Sequence, residues 1–425
     1  MRALAVVVHR WVGLVMAGFL LVAGLTGCLL VWYHELDAAL NPHLMRVAPP
    51  RDEGGAAGPA VLDALVLRER VVAAYPAARV HHLSFVQAAP GDARVFYVEA
   101  APDGSGHTTA LPVDEVFVNP YTGAILGARK WGDLGQGLIN LMPFLYRLHY
   151  SLALDTVGTW AFGIVALLWT LDCFVGAWLT FPARSRRPGA EGRGWWTRWA
   201  PAWKVRWRSG GHKLHFDLHR AGGLWPWALL CVLAWSSVAF NLHEAVYRPV
   251  MGTVFEFQAD PAGPLPDLPA APPEPVHGWP AAIDLARAHM AELARLKNFR
   301  VLTEDRVSYQ PRKGYIRYVV RSDLDVNERR GQTAVFVDPR TGALIGSVLP
   351  TRAAAGDTVT SWLLALHMAQ VWGLPFRIAM TAMGLVVAVL SVTGVVIWWK
   401  KRRARALETS RRAALQPGRA DRPFA

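Results

Sequence analysis

A chain of 425 residues that is 52% hydrophobic yet 18% charged argues against one soluble globule and for apolar segments alternating with soluble ones. The formal net charge of +13 is concentrated: 182–213 carries nine Lys/Arg against one acid, and from residue 400 onward there are nine against two. These basic runs flank apolar stretches, so they read as membrane-side anchors rather than a nucleic-acid surface. The three cysteines, Cys28, Cys173 and Cys231, lie in apolar runs without a CxxC. That predicts packing residues, not a disulfide framework or a zinc site.

In chain order, four stretches are long enough to cross a bilayer, which takes about 20 apolar residues: Trp11–Tyr33, Val157–Phe181, Ala221–Leu242 and Ile378–Trp399. The first is too long for a cleavable leader and has no small-residue cleavage site after it. The basic excess puts 183–213 and 401–425 in the cytoplasm together with the N-terminus. The predicted organisation is a first transmembrane helix in 1–36, a first periplasmic domain in 37–137 and a second transmembrane helix with a preceding outer helix in 138–182. A basic interfacial loop fills 183–213 and a third transmembrane helix 214–247. A second periplasmic domain spans 248–357, a fourth helix 358–400 and a basic tail 401–425. Within the loop, Trp195, Trp199, Trp203 and Trp207 recur every four positions among basic residues, which predicts an in-plane amphipathic segment interrupted at Pro201.

The chain repeats itself. Val116 to Gly127, with Asn119-Pro120-Tyr121-Thr122-Gly123 at its centre, returns as Val335 to Gly346 with Asp338-Pro339-Arg340-Thr341-Gly342. Each copy reads as a strand, a tight turn and a second strand. Helical patterns precede them at Val61–Tyr75 and Ala281–Arg295, and extended segments lie at Arg94–Glu99 and Tyr315–Arg321. Each outer domain is therefore expected to be a helix followed by a small antiparallel sheet. The membrane part repeats too: His9-Arg10 matches His219-Arg220, His34-Glu35 matches His243-Glu244, and Leu148-His149 matches Leu366-His367. Gly176 and Gly394 each follow their histidine by 27 residues. Both halves start on the same side, so the expected duplication is parallel, not the inverted repeat of many transporters. The fold class is thus an α-helical membrane bundle of four transmembrane helices with two small α+β extracytoplasmic domains.

The PxTG turn with its upstream helix resembles the PepSY domain. The HRxxG helix start, the LH pair before the second span of each half and the basic inner loop resemble the PepSY-associated transmembrane family, over nearly the whole chain. The family includes iron-regulated inner-membrane proteins and ferric-siderophore reductases of Gram-negative bacteria. The resemblance implies b-type haem among the helices and reduction of siderophore-bound iron outside the inner membrane. Asp172 departs from it, standing where an uncharged residue is expected.

Six of the fourteen histidines, His9, His34, His149, His219, His243 and His367, form three repeat-related pairs at helix ends. Ionisable side chains there are costly unless they face a polar site, so axial ligation of haem iron competes with simple hydrogen bonding at headgroup level. A zinc site would want three or four converging ligands, which no motif supplies. His215 is a substitute for His219. From His9 to His34, 25 helical residues rise about 37 Å, so the two cannot share one haem. The pattern supports at least two haem b groups and allows three. His149 pairs with His367 and His34 with His243 by repeat symmetry, or His34 with His149 by helix adjacency. Arg10, Arg220 and Arg377 suit haem propionates or lipid anchoring. An intramembrane carboxylate such as Asp172 should be paired or neutral.

Two functions compete. The first is an electron-transfer protein, a ferric-siderophore reductase. The ferric siderophore is its acceptor, and its donor is a separate cytoplasmic protein or a quinol, because no GxGxxG or P-loop is present. The second is a non-catalytic PepSY membrane regulator or peptide-binding, protease-modulating protein, which leaves the duplicated histidines unexplained. The expected partners are siderophore, donor and membrane lipid, with no nucleic acid.

Overall fold

The structure is a computed structural model that describes residues 1–49, 61–86, 91–101, 110–183, 194–269 and 272–414. His107, the 184–193 part of the basic loop and residues 415–425 of the tail lie outside the described residues. The chain divides into a helical unit, Met1–Cys28, Leu148–His243 and Ile378–Ala425, and a mixed unit, Leu29–Arg147 and Glu244–Arg377.

In the helical unit, α1 (Arg2–Leu30) leads the chain. Three described helices are long and apolar enough to cross a membrane. At 1.5 Å per residue, the 29 residues of α1 reach about 43 Å, against a hydrocarbon core of about 30 Å. The expected third span is not one straight helix. It divides into Gly211–Leu224 and Trp227–Asn241, bent by 72°, and counts as a fourth span only if the pair is taken together. Pro226 stands at the break. It offers no N–H to the carbonyl four residues earlier, and its ring crowds that carbonyl out of the helical ladder. The second piece alone has 15 residues, about 22 Å. The last helix, Gly373–Ala414, continues well past the predicted Trp399. Where α1 meets it, Gly24 and Gly384 lie backbone to backbone. A Cβ on Gly24 would come within 2.7 Å of the Gly384 oxygen, and the reverse distance is 2.6 Å. Small residues permit such close helix contact in a bilayer.

The basic loop contains a short helix at Trp195–Trp199 that passes into a 3-10 turn at Ala200–Trp203, with Pro201 at the junction. Trp199 stacks edge-on with Trp203, and Trp203 with Trp225.

The mixed unit begins with α2 (Tyr33–Leu40). The first outer segment then forms α3 (Ala64–Ala74) and strands β1 (Ala78–Arg79), β2 (His82–Ser84), β3 (Arg94–Tyr97), β4 (Glu99–Ala100), β5 (Glu115–Val118) and β6 (Ile125–Arg129). Asp63 caps α3 by accepting the Leu65 N–H. The second segment forms α4 (Gly278–Lys297), then β7 (Val301–Gln310), β8 (Tyr315–Ser322), β9 (Thr333–Val337) and β10 (Leu344–Val348). Each repeated turn closes an antiparallel hairpin, with Val118 opposite Ile125 in one and Val337 opposite Leu344 in the other. Gly123 and Gly342 take φ of +73° and +78° there, which glycine adopts without a Cβ penalty.

The two segments fold together. Strand β2 leaves the first segment and pairs with β7, so the order becomes β10-β9-β8-β7-β2. One buried cluster runs through both, joining Leu67, Val71 and Val116 to Ala286, Ile316 and Val335. Each fully buried aliphatic side chain contributes about 1.5–3 kcal/mol. Arg68 of α3 lies over the Trp279 ring and pairs with Glu274, tying the segments across their seam.

Candidate functional site

The two repeat-related histidines His9 and His219 meet in the helical unit. Their ring centroids are 6.0 Å apart with planes inclined at 61°. His9 comes from α1, and His219 from Gly211–Leu224, ahead of the bend. A glycine backs each ring. Gly176 of Asp155–Thr180 lies against His9, where a Cβ would sit 3.4 Å from Cε1. Gly394 of the last helix lies against His219, where the same distance would be 3.3 Å.

The hydrogen bonds fix which nitrogen carries the proton. His9 Nδ1 lies 2.9 Å from both carboxylate oxygens of Asp172. His219 Nδ1 lies 3.1 Å from the Leu390 carbonyl oxygen and 3.2 Å from Thr393 Oγ1. The Thr393 hydroxyl spends its own proton on the Val389 carbonyl. All these partners accept, so both rings donate from Nδ1 and present a lone pair at Nε2. Among the described residues no hydrogen bond engages either Nε2. That is how metal-binding histidines are usually held: one nitrogen oriented by a neighbour, the other free to ligate.

His149, on the helix Leu141–Ser151, repeats the pattern. Its Nδ1 is 3.0 Å from Thr26 Oγ1, and Thr26 donates its own proton to the Val22 carbonyl at 2.7 Å. Gly27 backs this ring, where a Cβ would lie 3.2 Å from Cε1. His243 also directs Nδ1 to a carbonyl, that of Ala239 at 3.3 Å. It opens a short π-helical stretch, His243–Tyr247, a local widening frequent at functional sites.

His34 differs. In the mixed unit its Nε2 lies 2.8 Å from Asp92 Oδ2, and the other Asp92 oxygen takes Arg46 at 2.6 Å. His34 therefore donates from the opposite nitrogen. His367 closes the helix Ala355–His367.

The arginines divide likewise. Arg10 Nε and Arg220 Nε are both buried without a hydrogen-bond partner among the described residues, although Arg220 Nη2 reaches Asp217 at 3.1 Å and the Pro201 carbonyl at 2.7 Å. Asp217 is fully buried and also takes Arg206 Nε at 2.7 Å, so its carboxylate is spent on two arginines. Arg377 is fully engaged in the mixed unit, with Glu35 at 2.7 Å, the Val31 carbonyl at 2.7 Å and the Trp32 ring at 4.1 Å.

The residues present fit a two-imidazole centre. A metal held at about 2 Å by one nitrogen of each ring requires ring centroids roughly 6 Å apart. The paired glycines keep the rings clear of any Cβ, and the orphaned Nε–H groups of Arg10 and Arg220 can donate to carboxylates. Among the described residues no group of three or more His, Cys, Asp or Glu could hold a metal ion.

Sequence reasoning isolated Asp172 but not its partner. The usable signal was its place one helical turn before Gly176, on the helix that faces His9.

The family model described as "PepSY-associated TM region" matches residues 6–401. No curated protein matches the chain. With nearly its whole length covered, the chain belongs to the PepSY-associated transmembrane family and is a membrane protein.

Proposed function

We propose that this PepSY-associated transmembrane protein is a haem-b electron-transfer protein of a bacterial inner membrane that reduces ferric siderophores on the periplasmic side. The proposed topology has four spans in a parallel duplication. Both termini are cytoplasmic and the two PepSY-like segments periplasmic.

The observation that carries this reading is the meeting of His9 and His219, each anchored through Nδ1 and each offering Nε2. They would hold a haem near the cytoplasmic face. Arg10 and Arg220 would receive its carboxylates through their unused Nε atoms. His149 leads the outer candidates because it shares the anchored tautomer and the backing glycine. His34, His243 and His367 complete that set, giving at least two centres. Bound haem would supply one-electron redox chemistry.

The chain's own residues orient the ligands, set the polarity around them and hold the acceptor outside. A separate cytoplasmic protein or a quinol would donate the electrons. Reduction loosens a siderophore's grip because hard oxygen donors hold the more highly charged Fe(III) better than Fe(II).

The test is the visible spectrum and haem stoichiometry of purified protein from haem-replete cells. We expect a low-spin b-type spectrum and the loss of one haem on His219→Ala. A colourless preparation would sink the redox reading.

A further inference from the structure

We infer that Asp172 is a positioning residue for His9 whose charge makes the inner imidazole pair electronically unequal and holds that centre toward its oxidised state. The inference rests on the reading that His9 and His219 ligate one haem.

The second helical segments of the two halves align at an offset of 218 residues, from His149 to His367 and from Gly176 to Gly394. The same offset carries Asp172 onto Leu390. Each of these positions receives the Nδ1–H of a ligand histidine. In the first half the acceptor is the Asp172 carboxylate, at 2.9 Å to both oxygens. In the second it is the backbone carbonyl of Leu390, at 3.1 Å, helped by Thr393. The matching position thus anchors a histidine in both halves, through an anionic group in the first and a neutral one in the second.

Asp172 is only 7% exposed, well inside a 26-residue apolar helix. Such a carboxylate is retained where it has a task. Accepting the Nδ1–H strengthens the ring's donation from Nε2, and poor screening lets the negative charge act at the centre. Gaining one electron lowers the positive charge there by one. A fixed anion nearby opposes that gain, so the reduction equilibrium shifts toward the oxidised form. His219, held by neutral groups, carries no such bias.

The simpler possibility is that Asp172 only satisfies a buried histidine. The two accounts separate by experiment on the full-length protein in detergent, with wild type, Asp172→Asn and Asp172→Leu compared. Asparagine keeps an acceptor for Nδ1–H and removes the charge. Leucine reproduces the second-half residue. Haem content is measured first, then the potentials by spectroelectrochemical titration, with the low-spin ferric EPR signal as an independent report on ligation.

Asp172→Asn should keep its full haem content. One centre should become easier to reduce by tenfold or more in equilibrium constant, about 59 mV per tenfold for a one-electron couple, with an altered EPR signature. Full haem content with unchanged potentials would overturn the inference while leaving the haem reading intact. Loss of the inner haem from Asp172→Asn would also overturn it, since the hydrogen bond survives in that variant. Full haem content in a His9→Ala/His219→Ala double variant would instead overturn the reading beneath it.

Discussion

Replacing Arg129 with methionine should destabilise the mixed unit by breaking a buried ion network beside α2. Arg129 Nη2 meets Asp37 at 2.8 Å and its Nε meets Glu115 at 2.7 Å. The three side chains are 3%, 1% and 6% exposed. Burial works against the guanidinium's charge, but the hydrogen bonds and charges of Asp37 and Glu115 outweigh it and bind its proton more tightly than usual. Burial pushes the Glu115 carboxyl up despite the arginine. Removing the cation strands two carboxyl groups in the interior. Breaking a buried pair from one side costs about 3–5 kcal/mol, a large part of the roughly 5–15 kcal/mol that holds a domain together. For a unit of this size each kcal/mol moves Tm by about 2–4 °C, so a fall of roughly 6–20 °C is expected. Asp37 follows His34 by three residues on α2, so the same network seats the helix that carries a candidate ligand. Thermal unfolding of the full-length protein, with hydrogen exchange of β3, β5 and β6, measures the effect. A loss under about 1 kcal/mol would mean that the two carboxyl groups bury neutral without help, and the reasoning would fail. The neutral set Asp37→Asn, Glu115→Gln, Arg129→Met should recover much of the loss, because apolar replacement of a whole buried network is often nearly neutral.

Burial, then Arg306 and Arg330, depress His82 to about 4. The unfolded chain takes up this proton first as the pH falls. Stability is therefore full above about 6.5 and lost progressively toward about 4. The loss should be roughly 1–3 kcal/mol after discounting for solvent screening; His82→Gln should flatten that part of the unfolding-versus-pH curve, and equal slopes would refute the assignment. Gly394→Leu should expel His219 from its seat, since even a Cβ there lies 3.3 Å from the ring. Haem content should fall as it does in His219→Ala, and an unchanged spectrum would show that the ring does not need the space. Reporter fusions within 50–130 and 260–350 should register as periplasmic and those at 190 and 410 as cytoplasmic; one reversed site breaks the four-span topology.

The fold was legible where a local pattern had one physical solution. The repeated Pro-x-Thr-Gly turns sat between apolar runs, and the hairpins formed with glycine at positive φ. The helix expected over 281–295 is present as Gly278–Lys297. Less legible was anything decided by pairing partners. Nothing in His82-Leu83-Ser84 says that this three-residue strand joins β7 of the other segment. A short strand takes its register from whichever edge is open and from the face it must bury. Here Leu83, fully buried beside Val307, decides it. The bend in the third apolar stretch was hidden for a related reason. Hydropathy summed over Ala221–Leu242 reports apolar content, and one proline hardly lowers the sum. The backbone nevertheless bends by 72° around Pro226.

At the site, spacing picked out the histidines because matching sequence patterns recur in the two halves even where the residues between them differ. It could not say which of them meet, since a helix period fixes a face but not its neighbour. His9 and His219 are 210 residues apart and share a contact that only the packed helices create. Spacing also treated His34 as equal to His9. The two differ in which nitrogen is spent: His34 donates from Nε2 to Asp92, while His9 donates from Nδ1 to Asp172. A ligand role for His34 through Nε2 would therefore require breaking a bond to a buried carboxylate that also holds Arg46, a cost that His9 and His219 do not carry. Any ranking of the six histidines should follow this difference in committed nitrogen before it follows the symmetry of the repeat.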